Sequence, residues 1–302
     1  MSHGKVCDGI SMLAYKDFAK YRILNNLEPV IRIMKKTSST SKPDFWQRLN
    51  RNRQLLLLIS AALFLLIWQG LVVLLKLPGF ILPSPADVGK KFYDVLRTGL
   101  LWRHFSATLG EILLGLLFGI SAATLLGYAL SKSPLAESLL SPFLVGSQSV
   151  PMAAIAPLLV IWFGPGLLSK VLICSLTVFF PVLVNTLVGL RDVPPELREV
   201  MRSLRATPAQ TLRFLELPAA LPVFLGGLRV GASLSVIGAI VGELVASDRG
   251  LGFLINVGRG QYDTALVFVA VICLVGLAAS IYGVVLLLEK KFLSWQTWRK
   301  EI

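Results

Sequence analysis

The sequence predicts an all-α integral membrane protein with about six transmembrane helices and both termini cytoplasmic. Three observations lead there. Of 302 residues, 55% are hydrophobic and only 16% charged, and the mean hydropathy is +0.71; a soluble domain carries about a quarter charged residues. The apolar residues gather into runs long enough, at about 1.5 Å per residue, to cross a hydrocarbon core of about 30 Å. The net charge of +13 lies mostly in the gaps between those runs, as the positive-inside bias requires. A basic, aromatic-interleaved surface for nucleic acid is absent.

Residues 1–54 read as a cytoplasmic tail. They mix Lys and Arg with Asp8, Asp17, Glu28 and Asp44. Met12, Phe18, Tyr21 and Leu27 suit one face of a short amphipathic helix, and Lys35 to Pro43 reads as a linker. Contact with anionic membrane lipid is the sharper reading of this basic segment.

The membrane domain is expected over residues 55–290. Its first run, Leu55 to Leu75, has Gln69 as its one strongly polar member and no small-residue cleavage site after it, so it reads as a retained helix. Between it and the second run lies Leu82-Pro83-Ser84-Pro85. Ser84 is placed to cap a short helix that Pro85 begins, with Val88, Phe92 and Val95 along one stripe. Further spans are expected at about 105–130, 136–162, 167–190, 219–246 and 264–288, followed by a tail over 291–302. With the N-terminus inside, inner segments hold 22 Lys and Arg and outer segments 8, among them Lys170, Arg249 and Arg259. Cys7, Cys174 and Cys273 show no metal-ligand or redox spacing, and His3 and His104 are far apart, so no metal site is expected.

The segment between the fourth and fifth runs, residues 191–217, carries the most information. Pro194-Pro195 starts a helix and Glu196 suits the positive end of its dipole. Leu197, Val200, Met201 and Leu204 recur at helical spacing and form one apolar face, with Glu199 and Arg202 on the other. A second helical start follows at Thr207-Pro208. Such a short amphipathic helix suits equally a lipid surface or a groove in a partner protein.

This stretch resembles the cytoplasmic loop of ABC-importer permeases, the binding-protein-dependent inner-membrane components. Their pattern is Glu-Ala-Ala, three residues, Gly, nine residues, Ile, any residue, Leu-Pro. Glu199, Leu215 and Leu217-Pro218 match at the right intervals; Val200 and Met201 replace the alanines and Arg205 the glycine. Arg205, unlike glycine, favours a more continuous helix through Ala206. Leu82-Pro83-Ser84-Pro85, Trp162-Phe163-Gly164, Phe179-Phe180-Pro181 and Gly250-Leu251-Gly252 extend the likeness over about residues 60–295.

The resemblance implies the type I importer permease fold, multi-pass in a bacterial inner membrane. It implies a homodimer, with the loop helix docked to each of two ABC ATPase subunits and an extracytoplasmic solute-binding protein delivering substrate. The coupling residues it implies are Glu196, Leu197, Glu199, Val200, Met201, Arg202, Leu204, Arg205 and Ala206. The branch resembled imports sulfonates, taurine, nitrate and heteroaromatic vitamin precursors; Val241-Gly242-Glu243 and Asp248 to Gly252 lean toward a thiamine-related pyrimidine or a flavin. The chain itself lacks the Gly-x-x-x-x-Gly-Lys-Ser/Thr phosphate loop, so the energy must come from another chain or from an ion gradient; the resemblance implies that this chain binds no cofactor and catalyses nothing, with ATP and Mg on partner subunits.

Polar groups inside apolar spans are costly, which makes them candidates for a translocation pathway. They are Ser147 and Gln148 with Ser149 beside Pro151, Asn185 in the fourth span, and Glu111 and Glu243 near the outer ends of the second and fifth. Asn185 and Gln148 equally suit bonding between helices, and Glu243 suits pairing with Arg249 or capping the next loop. Gly115/Gly119, Gly227/Gly231 and Gly238/Gly242 read as helix-packing faces. A proton-coupled secondary transporter relaying through Glu111 and Glu243 is the alternative function.

Overall fold

The computed structural model describes residues 53–148 and 150–293. The tail expected over residues 1–54 lies outside them, save Arg53 and Gln54, as do Ser149 and residues 294–302. The chain divides after Ile67 into two units. The described part of the first is the beginning of α1, Arg53–Leu74, whose Leu57, Leu58 and Phe64 are exposed.

The second unit holds ten further helices among the described residues, joined by short turns. They are α2 (Pro85–Arg97), α3 (Leu100–Ser131), α4 (Pro134–Gln148), α5 (Met152–Phe163) and α6 (Leu167–Arg191), followed by α7 (Pro195–Ser203), α8 (Pro208–Thr211), α9 (Leu217–Val245), α10 (Leu251–Gly260) and α11 (Thr264–Phe292). A π-helical turn, Leu212–Glu216, joins α8 to α9.

Among the described residues, five stretches are long and apolar enough to span a membrane: Leu55–Leu74, Leu100–Ser131, Leu167–Arg191, Pro208–Val245 and Thr264–Phe292. A sixth is obtained if α4 and α5 count as one span. The sequence suggests a single run there, but the two helices meet at a bend of 98°. Pro151 explains the break: it sits extended at φ −68°, ψ 122° before α5 and has no N–H to continue α4. The stretch Pro208–Val245, at 38 residues, measures about 57 Å and projects well beyond a bilayer core.

Local chemistry sets the ends. Ser84 accepts from the Asp87 N–H at 3.1 Å and Pro85 opens α2, while Val88 and Val95 are buried. The π-helical turn precedes Pro218, which lacks an N–H and crowds the carbonyl one turn back; the Leu217 N–H bonds five residues back to Leu212.

At the centre, α6 packs between α3 and α9. All six predicted GxxxG glycines face it. A Cβ on Gly115 would lie 2.3 Å from Cys174 Sγ, one on Gly119 2.7 Å from the Ser175 carbonyl, and one on Gly238 2.9 Å from Thr177 Oγ1. Gly227, Gly231 and Gly242 meet Asn185, Val182 and Lys170. The helices therefore touch backbone to backbone, as membrane helices without a hydrophobic driving force do. Leu125, Phe143 and Ile161 are more than 70% exposed, a surface that calls for lipid or a partner chain rather than water.

Candidate functional site: a bare helix and two charged clusters

The segment singled out in the sequence folds into α7, with Pro195 at its first turn, Glu196 beside it and Arg202 in its last turn. The apolar face is bare: Leu197, Val200 and Leu204 are 46, 53 and 72% exposed. Met201 and Ala206 are half-buried, and Glu196, Glu199, Arg202 and Arg205 are exposed.

Arg205 corrects one expectation. The helix does not continue through it; Arg205 takes φ +54°. Its N–H bonds to the Arg202 carbonyl at 2.9 Å and the Ala206 N–H to the Met201 carbonyl at 3.0 Å. These are the paired bonds of a left-handed helix end, normally built on glycine. The stop is reinforced by Thr207, which caps α8 reciprocally with Gln210. Arginine here bears the Cβ strain that glycine avoids.

Beneath α7 lies the first charged cluster. Glu216, 3% exposed, accepts from Lys132 Nζ at 2.7 Å on both oxygens. Arg198 Nε stands 4.0 Å from the same carboxylate, and its Nη2 donates to the Leu190 carbonyl at 2.6 Å. Arg191 pairs with Glu137, and Arg229 with Glu289.

The second cluster lies at the opposite end of α3, α6 and α9. Lys170, in the first turn of α6 where the helix dipole disfavours a cation, is held by Glu111 at 2.8 Å and donates to Ser247 at 2.8 Å. Glu243 is fully buried, faces Glu111, and accepts from Thr108 and from the Gly252 N–H, each at 2.6 Å. Thr108 in turn accepts from Leu251 N–H at 2.8 Å, and His104 Nδ1 from Gly250 N–H at 3.0 Å. Three otherwise unpaired amides at the start of α10 are thus capped by side chains from α3 and α9. Gly250, at φ +112°, permits this approach; a Cβ there would fall 2.0 Å from Glu243 Oε1.

The pathway candidates are therefore not one constellation. Glu111 and Glu243 come together, and Glu243 caps α10 rather than pairing with Arg249, whose ion pair, at 3.4 Å, is with Asp248. Asn185 bonds the Pro181 carbonyl of its own helix at 2.8 Å and packs on Gly227. Ser147, bonded to the Leu144 carbonyl at 2.9 Å, sits with exposed Gln148 and Pro151 at the α4–α5 bend. Glu111 and Lys170 also line a cavity of about 430 Å³ that Asp248 and Arg249 complete. Sequence reasoning missed Lys170, His104, Thr108 and Glu216 as partners. A lone acid inside Phe214-Leu215-Glu216-Leu217 and a lysine inside an apolar run were the signals available.

A polytopic helical bundle with glycine-lined seams and a bare amphipathic helix at one end is an architecture that fits a membrane transport permease. More specifically, the chain belongs to the family described as the binding-protein-dependent transport system inner membrane component, whose model matches residues 115–294. It is 42% identical to the riboflavin transport system permease protein RibX of Chloroflexus aurantiacus, over 79% of this chain and 89% of that one. It is 34% identical to the formylaminopyrimidine transport permease protein ThiX of Halalkalibacterium halodurans, over 78% and 93%. To the taurine transport system permease protein TauC of Escherichia coli it is 34% identical, over 74% and 84%. Its fold is that of the MetNI methionine ABC transporter structure, with TM-score 0.53 and 22% identity over 65% of this chain and 97% of that one. The chain is accordingly a non-catalytic, multi-pass permease of an ABC importer family that works with ATPase subunits and a binding protein.

Proposed function

We propose that two copies of this chain form the solute pathway of an importer and that α7 of each docks an ATPase subunit, with a binding protein supplying a heteroaromatic precursor of the flavin or thiamine-pyrimidine type. The observation that carries the coupling is the bare face of Leu197, Val200 and Leu204 on a helix tied to the bundle by Arg198. Glu196, Glu199, Arg202 and Arg205 would frame that contact. On this reading α7 and both termini are cytoplasmic, as the excess of basic residues favours. The substrate class rests on the likeness to the riboflavin and formylaminopyrimidine permeases.

Among the pathway candidates, Glu111 is favoured by its place on the 430 Å³ cavity. Ser147, Gln148 and Pro151 are favoured by lying at the one sharp break among the described membrane helices. Asn185 and Glu243 serve packing and capping, and any share in the path is secondary. The test is uptake into proteoliposomes holding this chain, its cognate ATPase and its binding protein, offered riboflavin, formylaminopyrimidine and taurine in turn. ATP-dependent accumulation of either heteroaromatic compound is expected. Accumulation of taurine alone would reassign the substrate, and uptake that ignores ATP but collapses with a protonophore would replace the importer with a proton-coupled carrier.

A further inference from the structure

Resting on the reading of α7 as the ATPase-docking helix, we propose that Glu216 is the positioning residue through which movement of α7 reaches the membrane helices. It does so by exchanging Lys132 for Arg198 as its partner. Glu216 is buried and ends the π-helical turn at the root of α9. Lys132, which holds both of its oxygens at 2.7 Å, is the C-terminal cap of α3. Arg198 belongs to α7, so one carboxylate at the root of α9 faces two other helices.

The arrangement is unfinished on one side. Arg198 Nε is buried without a hydrogen-bond partner and lies 4.0 Å from Glu216 Oε1. A hydrogen bond needs about 2.9 Å, so a shift of about 1 Å would make a charge-assisted bond from α7 to the root of α9. The surroundings permit that shift. A π-helical turn interrupts the regular helical ladder and is frequent at functional sites, and Pro218 and Pro222 leave gaps in the hydrogen-bond ladder beyond it. Beside the turn lies an apolar cavity of about 410 Å³, lined among others by Tyr128 of α3, Leu190 of α6, and Leu217 and Phe224 of α9. Movement of α7 toward Glu216 draws the carboxylate from Lys132, freeing the end of α3 from α9.

The test uses the full chain assembled with its cognate ATPase subunits in nanodiscs. Amide hydrogen exchange is followed without nucleotide and after trapping with ATP and vanadate. In the wild type, trapping is expected to alter exchange both in α7 and in α10 at the far end of the bundle. In Glu216→Gln, and equally in Arg198→Lys, whose single ammonium keeps the Leu190 carbonyl bond without also reaching Glu216, assembly, hydrolysis and the change at α7 persist, while the change at α10 is lost. The charge exchange Lys132→Glu with Glu216→Lys remakes an ion pair between α3 and the root of α9 but sets a cation against Arg198, so it does not restore the α10 response. Retention of the α10 response in Glu216→Gln or Arg198→Lys, or its restoration by the charge exchange, overturns the proposal. Should Glu216→Gln not assemble, Arg198→Lys decides alone. A wild-type chain that binds no ATPase subunit brings down the reading of α7 instead, a visibly different result.

Discussion

Replacing Lys170 by methionine is the perturbation most sharply defined by the structure. Its ammonium lies 2.8 Å from Glu111, with the two side chains 5% and 2% exposed, and Ser247 takes a second bond. Methionine keeps the length of the side chain and removes the charge, leaving Glu111 enclosed against Glu243 without its counter-ion. Deleting one partner of a buried ion pair costs about 3–5 kcal/mol, against at most about 1 kcal/mol for an exposed pair. Glu111→Gln strands the lysine and should cost a similar amount. The double variant strands neither, so its loss should fall short of the sum of the single losses by about 1–3 kcal/mol, a coupling typical of groups in direct contact. Reversible unfolding in mixed micelles with rising dodecyl sulfate, followed by tryptophan fluorescence, measures all four proteins. If Lys170→Met lies within about 1 kcal/mol of wild type, or the two losses simply add, the pair is not the closed, desolvated unit described above.

Further outcomes follow from four single positions. Arg205→Gly should stabilise the protein by about 1 kcal/mol by relieving the left-handed backbone at φ +54°, whereas Arg205→Ala should not; the same unfolding assay separates them. Gly119→Ala places a Cβ 2.7 Å from the Ser175 carbonyl and should cost about 1–3 kcal/mol. Gly226→Ala in α9 meets nothing within 4 Å and should gain up to about 1 kcal/mol, so two identical substitutions carry opposite signs. Gly250→Ala should displace Glu243 and loosen the start of α10 by about 1 kcal/mol, read as faster amide exchange at Leu251 and Gly252; unchanged exchange would count against the cap.

What the sequence disclosed was set by short-range chemistry. The spans follow from uninterrupted apolar length, the start of α2 from Ser84 and Pro85, and the face of α7 from spacing over eight residues, Leu197 to Leu204. The glycine seams were also legible, because small residues four apart have few other uses in a membrane helix. Propensity alone misplaces the stop at Arg205, which is decided by Ala206 closing back on Met201 and by Thr207-Pro208 opening a new helix. The bend at Pro151 was underestimated for the opposite reason, since a proline inside a long apolar run is often tolerated. The charged clusters were hidden by distance. Thr108 and Glu243 are 135 residues apart, and Lys132 and Glu216 84. Lys170 reads as an outer-segment charge because nothing in its sequence neighbourhood announces Glu111.

The three-amide cap of α10 has a consequence for how the protein is made. Gly250 and Leu251 bond to side chains 146 and 143 residues earlier in the chain, and Gly252 to one only nine earlier. His104 and Thr108 leave the ribosome long before their amides exist, so until then Thr108 has only the His104 carbonyl of its own helix, at 3.2 Å, for a partner. Glu243 arrives with α9 and finds Thr108 only once α3 and α9 have closed on α6. The start of α10 then latches across a junction already built. Docking of α10 therefore falls late in biogenesis, and a chain stopped near Val245 would carry the membrane helices through α9 but lack both α11 and the latch that reports their correct assembly.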